Sequence, residues 1–164
     1  MTVVEWASYL TESGFETRVT EELESMIWGK LIINAGINTL TALLQLSNGE
    51  LYNSPVGRKL LEKAVQESVK VAQAKKIRLP YEDAMDKVLS VLRDTSENVS
   101  SMLYDVKRGE KTEVQCINGA IVSEGERLGI PVHFNKILLD LLSRDARPIS
   151  DVQNILLREI EDSK

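Results

Sequence analysis

The apolar positions of this chain recur three and four residues apart over most of its length, the spacing of helices with one buried face. Val3–Leu10 forms a short amphipathic stretch that Gly14 ends, and Phe15–Val19 reads as a brief extended segment. Thr20 is placed to cap a long helix running to about Leu46, with Glu21 and Glu22 favourably set in its first turn. Leu23, Met26, Ile27, Leu31, Ile33, Ile37, Leu40 and Leu44 cover so much of this helix that it is expected to be the central one. Ser47–Glu50 is a turn, and Ser54-Pro55 opens the next helix with proline at its first position. Leu79-Pro80 breaks the chain before a helix carrying Ala84, Val88, Leu89 and Leu92. Further helices are expected over Asn98–Val106, over Thr112 to about Leu128 with Gly129 as its stop, and over Phe134–Ser143. Ser150 with Gln153 forms a capping-box pattern for a last helix, Asp151–Glu161. No strand series alternates with these helices, so the expectation is one all-α domain spanning 1–164.

Composition narrows the function classes. A chain of 164 residues, 43% of them hydrophobic, can bury one sizeable core. A net charge of -5 argues against a broad nucleic-acid or anionic-membrane surface. The apolar runs are interrupted by Lys30 and Asn34 and fall short of the ~20 residues of a membrane span. The first residues lack a signal-peptide charge pattern, so a cytoplasmic location is expected. A single cysteine, Cys116, allows neither an intrachain disulfide nor a cysteine-based zinc cluster. It lies in the apolar run Val114–Ile121 and is expected to be buried. His133, the only histidine, has no neighbours at metal-ligand spacing, and no Gly-x-Ser-x-Gly elbow is present. Lys75-Lys76-x-Arg78 reads as a solvated helix end.

The candidate chemistry sits inside the most apolar helix. Lys30, Asn34 and Asn38 stand at i, i+4 and i+8, within a strip about 80° wide. A buried lysine is costly unless paired, and buried amides need partners, so the line points to a polar cleft. A lysine there can act as a general acid or electrostatic clamp. A solvated stripe on a surface helix is the alternative. Asn98, Ser101 and Asp105 share another helical face, with local capping as the plainer account. Glu113 lies in the first turn of the following helix, where a carboxylate complements the dipole.

Three segments together resemble ketopantoate reductases. Trp28-Gly29-Lys30-Leu31-Ile32-Ile33-Asn34-Ala35-Gly36-Ile37-Asn38-Thr39-Leu40-Thr41-Ala42-Leu43 resembles the family's W-x-K-x-x-x-N-x-x-x-N-x-L-T-A-L segment, and Asn48-Gly49-Glu50-Leu51 follows at the usual distance. Asn98-Val99-Ser100-Ser101-Met102-x-x-Asp105 resembles the N-x-S-S-M-x-x-D signature, and Thr112-Glu113-Val114-x-x-Ile117-Asn118-Gly119 the T-E-I-x-x-I-N-G signature. Order and spacing agree from Trp28 to Asn135.

The resemblance implies a helical C-terminal domain like that of 6-phosphogluconate dehydrogenases, working beside a Rossmann domain. It implies NADPH-dependent reduction of 2-dehydropantoate to pantoate in pantothenate biosynthesis. Lys30 would protonate the developing alkoxide. Asn34, Asn38 and Asn48 would bind substrate. Ser101 would hold its carboxylate end, with Asn98 a second candidate there, and Glu113 would reach the cofactor. Two features depart from the family. No Gly-x-Gly-x-x-Gly occurs, so the nucleotide site is expected on a Rossmann domain outside this chain, in cis or in trans. His133 stands where the family usually has proline. The isolated domain is expected to be inactive and to expose the apolar face that meets the Rossmann domain, so it can self-associate as a homodimer. Other readings are a non-catalytic helical binding module and a reductase for a different 2-keto acid.

Overall fold

A computed structural model describes residues 1–143 and 149–161. In chain order the helices are α1 (Val3–Glu12), α2 (Leu23–Leu44), α3 (Asn48–Asn53), α4 (Pro55–Ala74), α5 (Ala84–Asp94), α6 (Ser101–Arg108), α7 (Val114–Leu128), α8 (His133–Ser143) and α9 (Ile149–Glu161). The described residues contain no strand, so the all-α expectation holds. α2 is the axis, and every helix from α3 to α9 packs on it.

α2 is central because, apart from the Lys30, Asn34 and Asn38 strip, its faces are apolar or small from Trp28 onwards. Ile32, Ala35 and Leu40 are wholly buried. Gly36 lets α4 approach closely: a Cβ there would stand 3.1 Å from the Leu61 side chain. By length and mean hydropathy (1.3) α2 would pass for a membrane span, Lys30 and Asn34 notwithstanding. With 61% of that stretch inside the fold, it is a core helix.

Caps set the boundaries, and several differ from the sequence reading. Thr20 does not cap α2: its hydroxyl accepts from the Glu22 N–H in the preceding loop, and α2 starts at Leu23. α2 ends where Gln45 turns left-handed at φ 57°, two residues before Ser47 caps α3. α6 starts at Ser101, capped by the Ser100 hydroxyl on the Leu103 N–H, so Asn98 lies ahead of the helix. Ser150 falls within α9, which begins one residue earlier.

Some packing was invisible to periodicity. The Glu67 carboxylate of α4 accepts the backbone N–H groups of Phe134 and Asn135, both at 2.9 Å, at the start of α8. A carboxylate there meets orphan amides and the positive end of the helix dipole. Asn118 of α7 is fully buried and joins three elements. It accepts from the Thr39 hydroxyl at 2.6 Å and donates to the Ala35 carbonyl and to Asn135 Oδ1, both at 3.2 Å. Cys116 corrects the sequence reading: it is exposed. The buried stripe of α7 is Val114, Ile117, Asn118, Ile121 and Val122, and Cys116 falls outside that arc.

Candidate functional site

The strip on α2 points away from α4, the helix that Gly36 contacts. Lys30 is exposed, and Asn34 and Asn38 are half-buried one and two turns further on. Each step of four along the helix advances about 6 Å. The strip is thus a partly sheltered line open to solvent, between the closed cleft and the fully solvated stripe. Among the described residues no hydrogen bond or ion pair engages the side chains of Lys30, Asn34 or Asn38. Their donors and acceptors face outward.

Two contacts bring the later motifs to the C-terminal end of this line. Thr41 Oγ1 lies 2.8 Å from the Ile37 carbonyl, 3.0 Å from the Asn38 carbonyl and 2.7 Å from Ser100 Oγ. The single Thr41 proton goes to a carbonyl, so Ser100 donates to Thr41. This buried clamp seats the first turn of α6, and with it the exposed Ser101, beside the Asn38 turn. The second contact joins α3 to the loop before α6: Asn48 N–H donates to the Asn98 carbonyl at 3.1 Å, and Gly49 N–H to the Ser96 carbonyl at 2.9 Å. Gly49 has to be glycine, since a Cβ would lie 2.9 Å from that Ser96 oxygen.

Asn48 is the most constrained of the predicted site residues, at 7% exposure. Its Nδ2 donates to Thr95 Oγ1 at 2.8 Å. The Thr95 proton is already given to the Val91 carbonyl at 2.6 Å, which fixes the amide orientation. Asn48 Oδ1 is left buried without a hydrogen-bond partner. An unsatisfied buried acceptor costs about 1–3 kcal/mol, and a hydroxyl or amide donor arriving there would relieve it. The turn around it is held by a capping box between Ser47 and Glu50. The Ser47 backbone N–H, and then its hydroxyl, keep the Glu50 carboxyl below the usual range.

Asn98 is exposed, and its backbone serves the Asn48 contact. Glu113 is the N-cap of α7, also exposed, and its side chain makes no capping bond. At that position its carboxylate still complements the α7 dipole, without a side-chain hydrogen bond. Asn118, further along α7, ties that helix to Ala35 and Thr39, which flank the strip residues. No hydrogen bond or ion pair joins Glu113 to Lys30 or the asparagines among the described residues. His133 and Lys75 belong to other contacts. His133 Nε2 lies 3.7 Å from Glu159, and Lys75 pairs with Glu124 at 2.8 Å while standing 5.7 Å over the Trp28 ring. The described residues contain no cluster able to hold a metal ion.

The sequence reading missed the two groups that fix the strip in place. Asn118 was visible in its motif but had no role, and nothing near Ser100 in the chain announced a bond to Thr41. The fold and site define an all-helical domain whose central helix offers one amine and neutral amides along an open line, with a further amide and a hydroxyl at its end.

Residues 22–145 match the family described as ketopantoate reductase PanE/ApbA, C terminal. The chain is 40% identical over 136 residues to the 2-dehydropantoate 2-reductase of Pyrobaculum aerophilum, which covers 83% of this chain and 48% of the relative. In structure it is similar to a PanE/ApbA family ketopantoate reductase from Ralstonia eutropha JMP134, with TM-score 0.80 and 26% identity, over 94% of this chain and 49% of that one. It is also similar to a D-mandelate dehydrogenase in complex with NADH, with TM-score 0.75 and 26% identity, over 85% and 48%. The chain belongs to the ketopantoate reductase family, as its C-terminal domain. It spans about half the length of the relatives it matches.

Proposed function

We propose that this chain is the substrate-binding and proton-donating half of an NADP-dependent 2-dehydropantoate 2-reductase. The observation that carries the reading is the open line Lys30–Asn34–Asn38 leading to the buried, unpartnered Asn48 Oδ1. NADPH, held mainly by a Rossmann domain outside these residues, supplies a hydride when bound. Addition of hydride to C2 of a 2-keto acid breaks the carbonyl π bond and puts negative charge on oxygen. Lys30 stabilises that charge and gives the oxygen its proton, and its exposure lets solvent restore the proton. Asn34 and Asn38 grip keto, hydroxyl or carboxylate oxygens without neutralising Lys30. Asn48, at the end of the line, is the third substrate-binding asparagine. Ser101, with Asn98 behind it, holds the carboxylate end. The unused Glu113 carboxylate accepts hydroxyl donors of the cofactor. A cytoplasmic location goes with this reading.

Calorimetric titration with ketopantoate tests it. The chain is expected to bind weakly alone and to consume no NADPH, and Lys30→Ala is expected to weaken binding further. Equal affinity of the two proteins would remove Lys30 from the site. No binding by either, with no gain when a nucleotide-binding half is supplied, would favour a non-catalytic binding module. The likeness to a D-mandelate dehydrogenase favours a second reading, a reductase for a different 2-keto acid. Faster turnover of phenylglyoxylate than of ketopantoate would establish it.

A further inference from the structure

The hydroxyl clamp between α2 and α6 runs in one direction. Ser100 Oγ accepts the Leu103 N–H at 3.2 Å, as the cap of α6, and gives its own proton to Thr41 Oγ1 at 2.7 Å. Thr41 in turn gives its proton to the carbonyls of Ile37 and Asn38, at 2.8 and 3.0 Å. Both hydroxyls are buried, so water does not stand in for either of them. One end of this chain of bonds is the backbone of Asn38, in the polar strip. The other end is the first turn of α6, which carries Ser101. The neighbouring residues hold the same register: Met102 and Leu103 are buried too, and Met102 Sδ lies 3.8 Å from Thr39 Oγ1. Ser101 alone in this turn is exposed, set between residues locked into the core.

A hydroxyl fixed in this way cannot follow its ligand, so the ligand has to fit the distance between Ser101 and Asn38. We propose that Thr41 and Ser100 are positioning residues that set this distance, and through it select keto acids whose carbonyl and carboxylate are on neighbouring carbons. This rests on the reductase reading for the roles of Asn38 and Ser101. Thr41 and Ser100 are buried and act only through the groups they hold. Their effect falls on binding. A carboxylate is gripped alike before and during hydride transfer, so displacing its partner raises KM and leaves kcat nearly unchanged. Lys30 stands eleven residues before Thr41 on α2, about 16 Å along the axis, and keeps its place when the clamp is cut.

Steady-state kinetics test it, on the full chain joined behind the half of the P. aerophilum 2-dehydropantoate 2-reductase that it does not match. Thr41→Val keeps the side-chain shape but puts a methyl group where two oxygens meet at 2.7 Å. Carbon needs about 3.5 Å there, so the start of α6 is pushed outward by somewhat under ~1 Å. The KM for ketopantoate is expected to rise about 10-fold or more, with kcat and the KM for NADPH within about 3-fold of native. Thr41→Ser restores the hydroxyl and should return the KM to near its native value. Thr41→Ala, which removes the bond without the push, is measured beside the valine and should move KM in the same direction, so that a poorly folded valine variant does not decide the matter. Adding Ser101→Ala to Thr41→Val should raise KM no further than the larger single change, because both act on one grip. With an active native protein, an unchanged ketopantoate KM in Thr41→Val and Thr41→Ala overturns the positioning role alone. Equal losses in kcat and in the KM for NADPH, or simple additivity with Ser101→Ala, also overturn it, and leave the pair a structural contact. Failure of the native joined protein to reduce either ketopantoate or phenylglyoxylate overturns the reductase reading, and the positioning role with it.

Discussion

Replacing Asn118 with alanine strips three partners at once. Thr39 loses its 2.6 Å acceptor, and the Ala35 carbonyl and Asn135 Oδ1 each lose a donor at 3.2 Å. Asn118 is fully buried, so water cannot simply take over those bonds. At about 1 kcal/mol for each lost bond, and with a small cavity added, the expected cost is about 3–4 kcal/mol. Against a typical domain stability of 5–15 kcal/mol, that loss moves Tm down by roughly 6–15 °C. Urea denaturation followed by helical circular dichroism reads it as a lower midpoint at unchanged slope. Asn118→Asp separates hydrogen bonding from volume. A buried carboxyl facing two carbonyl oxygens keeps its proton, so its folded pKa rises above the unfolded value of about 3.9. The folded state then holds a proton that the unfolded chain releases, and stability falls as pH rises above about 4. Asn118→Asp is thus expected to be more stable at pH 4.5 than at pH 7 relative to the native chain. If Asn118→Ala costs less than about 1 kcal/mol and the aspartate shows no such pH dependence, the buried network does not hold α2, α7 and α8 together.

Further outcomes follow from single contacts. Lys30→Ala should leave stability within about 0.5 kcal/mol, because the side chain is exposed. In the protein joined to a nucleotide-binding half it should cut kcat by about 100-fold or more, measured by NADPH consumption. Gly29→Ala places a Cβ 2.6 Å from Pro80 Cγ, and should destabilise by about 1–3 kcal/mol in the same urea assay. The Glu124 carboxyl is held at about 2, first by the hydrogen bond from Arg127 and then by that from Lys75. Its folded pKa is depressed, so its contribution is present above the unfolded carboxyl range and lost as pH falls towards 2; carbon-detected NMR titration should find the low value, and Lys75→Met should raise it. Tyr81 is pushed up to about 12 by burial, with its hydroxyl on the Gly29 carbonyl at 3.1 Å. Ultraviolet titration should show one tyrosine ionising late, and its contribution to stability should be lost between about pH 10 and 12.

The sequence by itself determined the helix series, the central place of α2 and the polar line along it. Those features are local: a helix repeats every 3.6 residues, so spacing alone puts Lys30, Asn34 and Asn38 on one side. Its motifs also sufficed to name the family. Tertiary structure decided which apolar residues are core. Leu23, Met26 and Ile27 have the same periodicity as Ile33 and Leu40 but stand outside, because nothing among the described residues covers the first turns of α2. Cys116 sits in an apolar run and still faces solvent, because burial follows the side of α7 that meets α2, α4 and α8. Only the fold could bring Asn48 against Thr95 and Asn98, or Thr41 against Ser100. These partners are about fifty residues apart, and no local spacing encodes such a pairing. The buried acceptor of Asn48 exists because Thr95 has only one proton and has given it to Val91. Residue identities made that acceptor possible, and packing left it waiting for a donor.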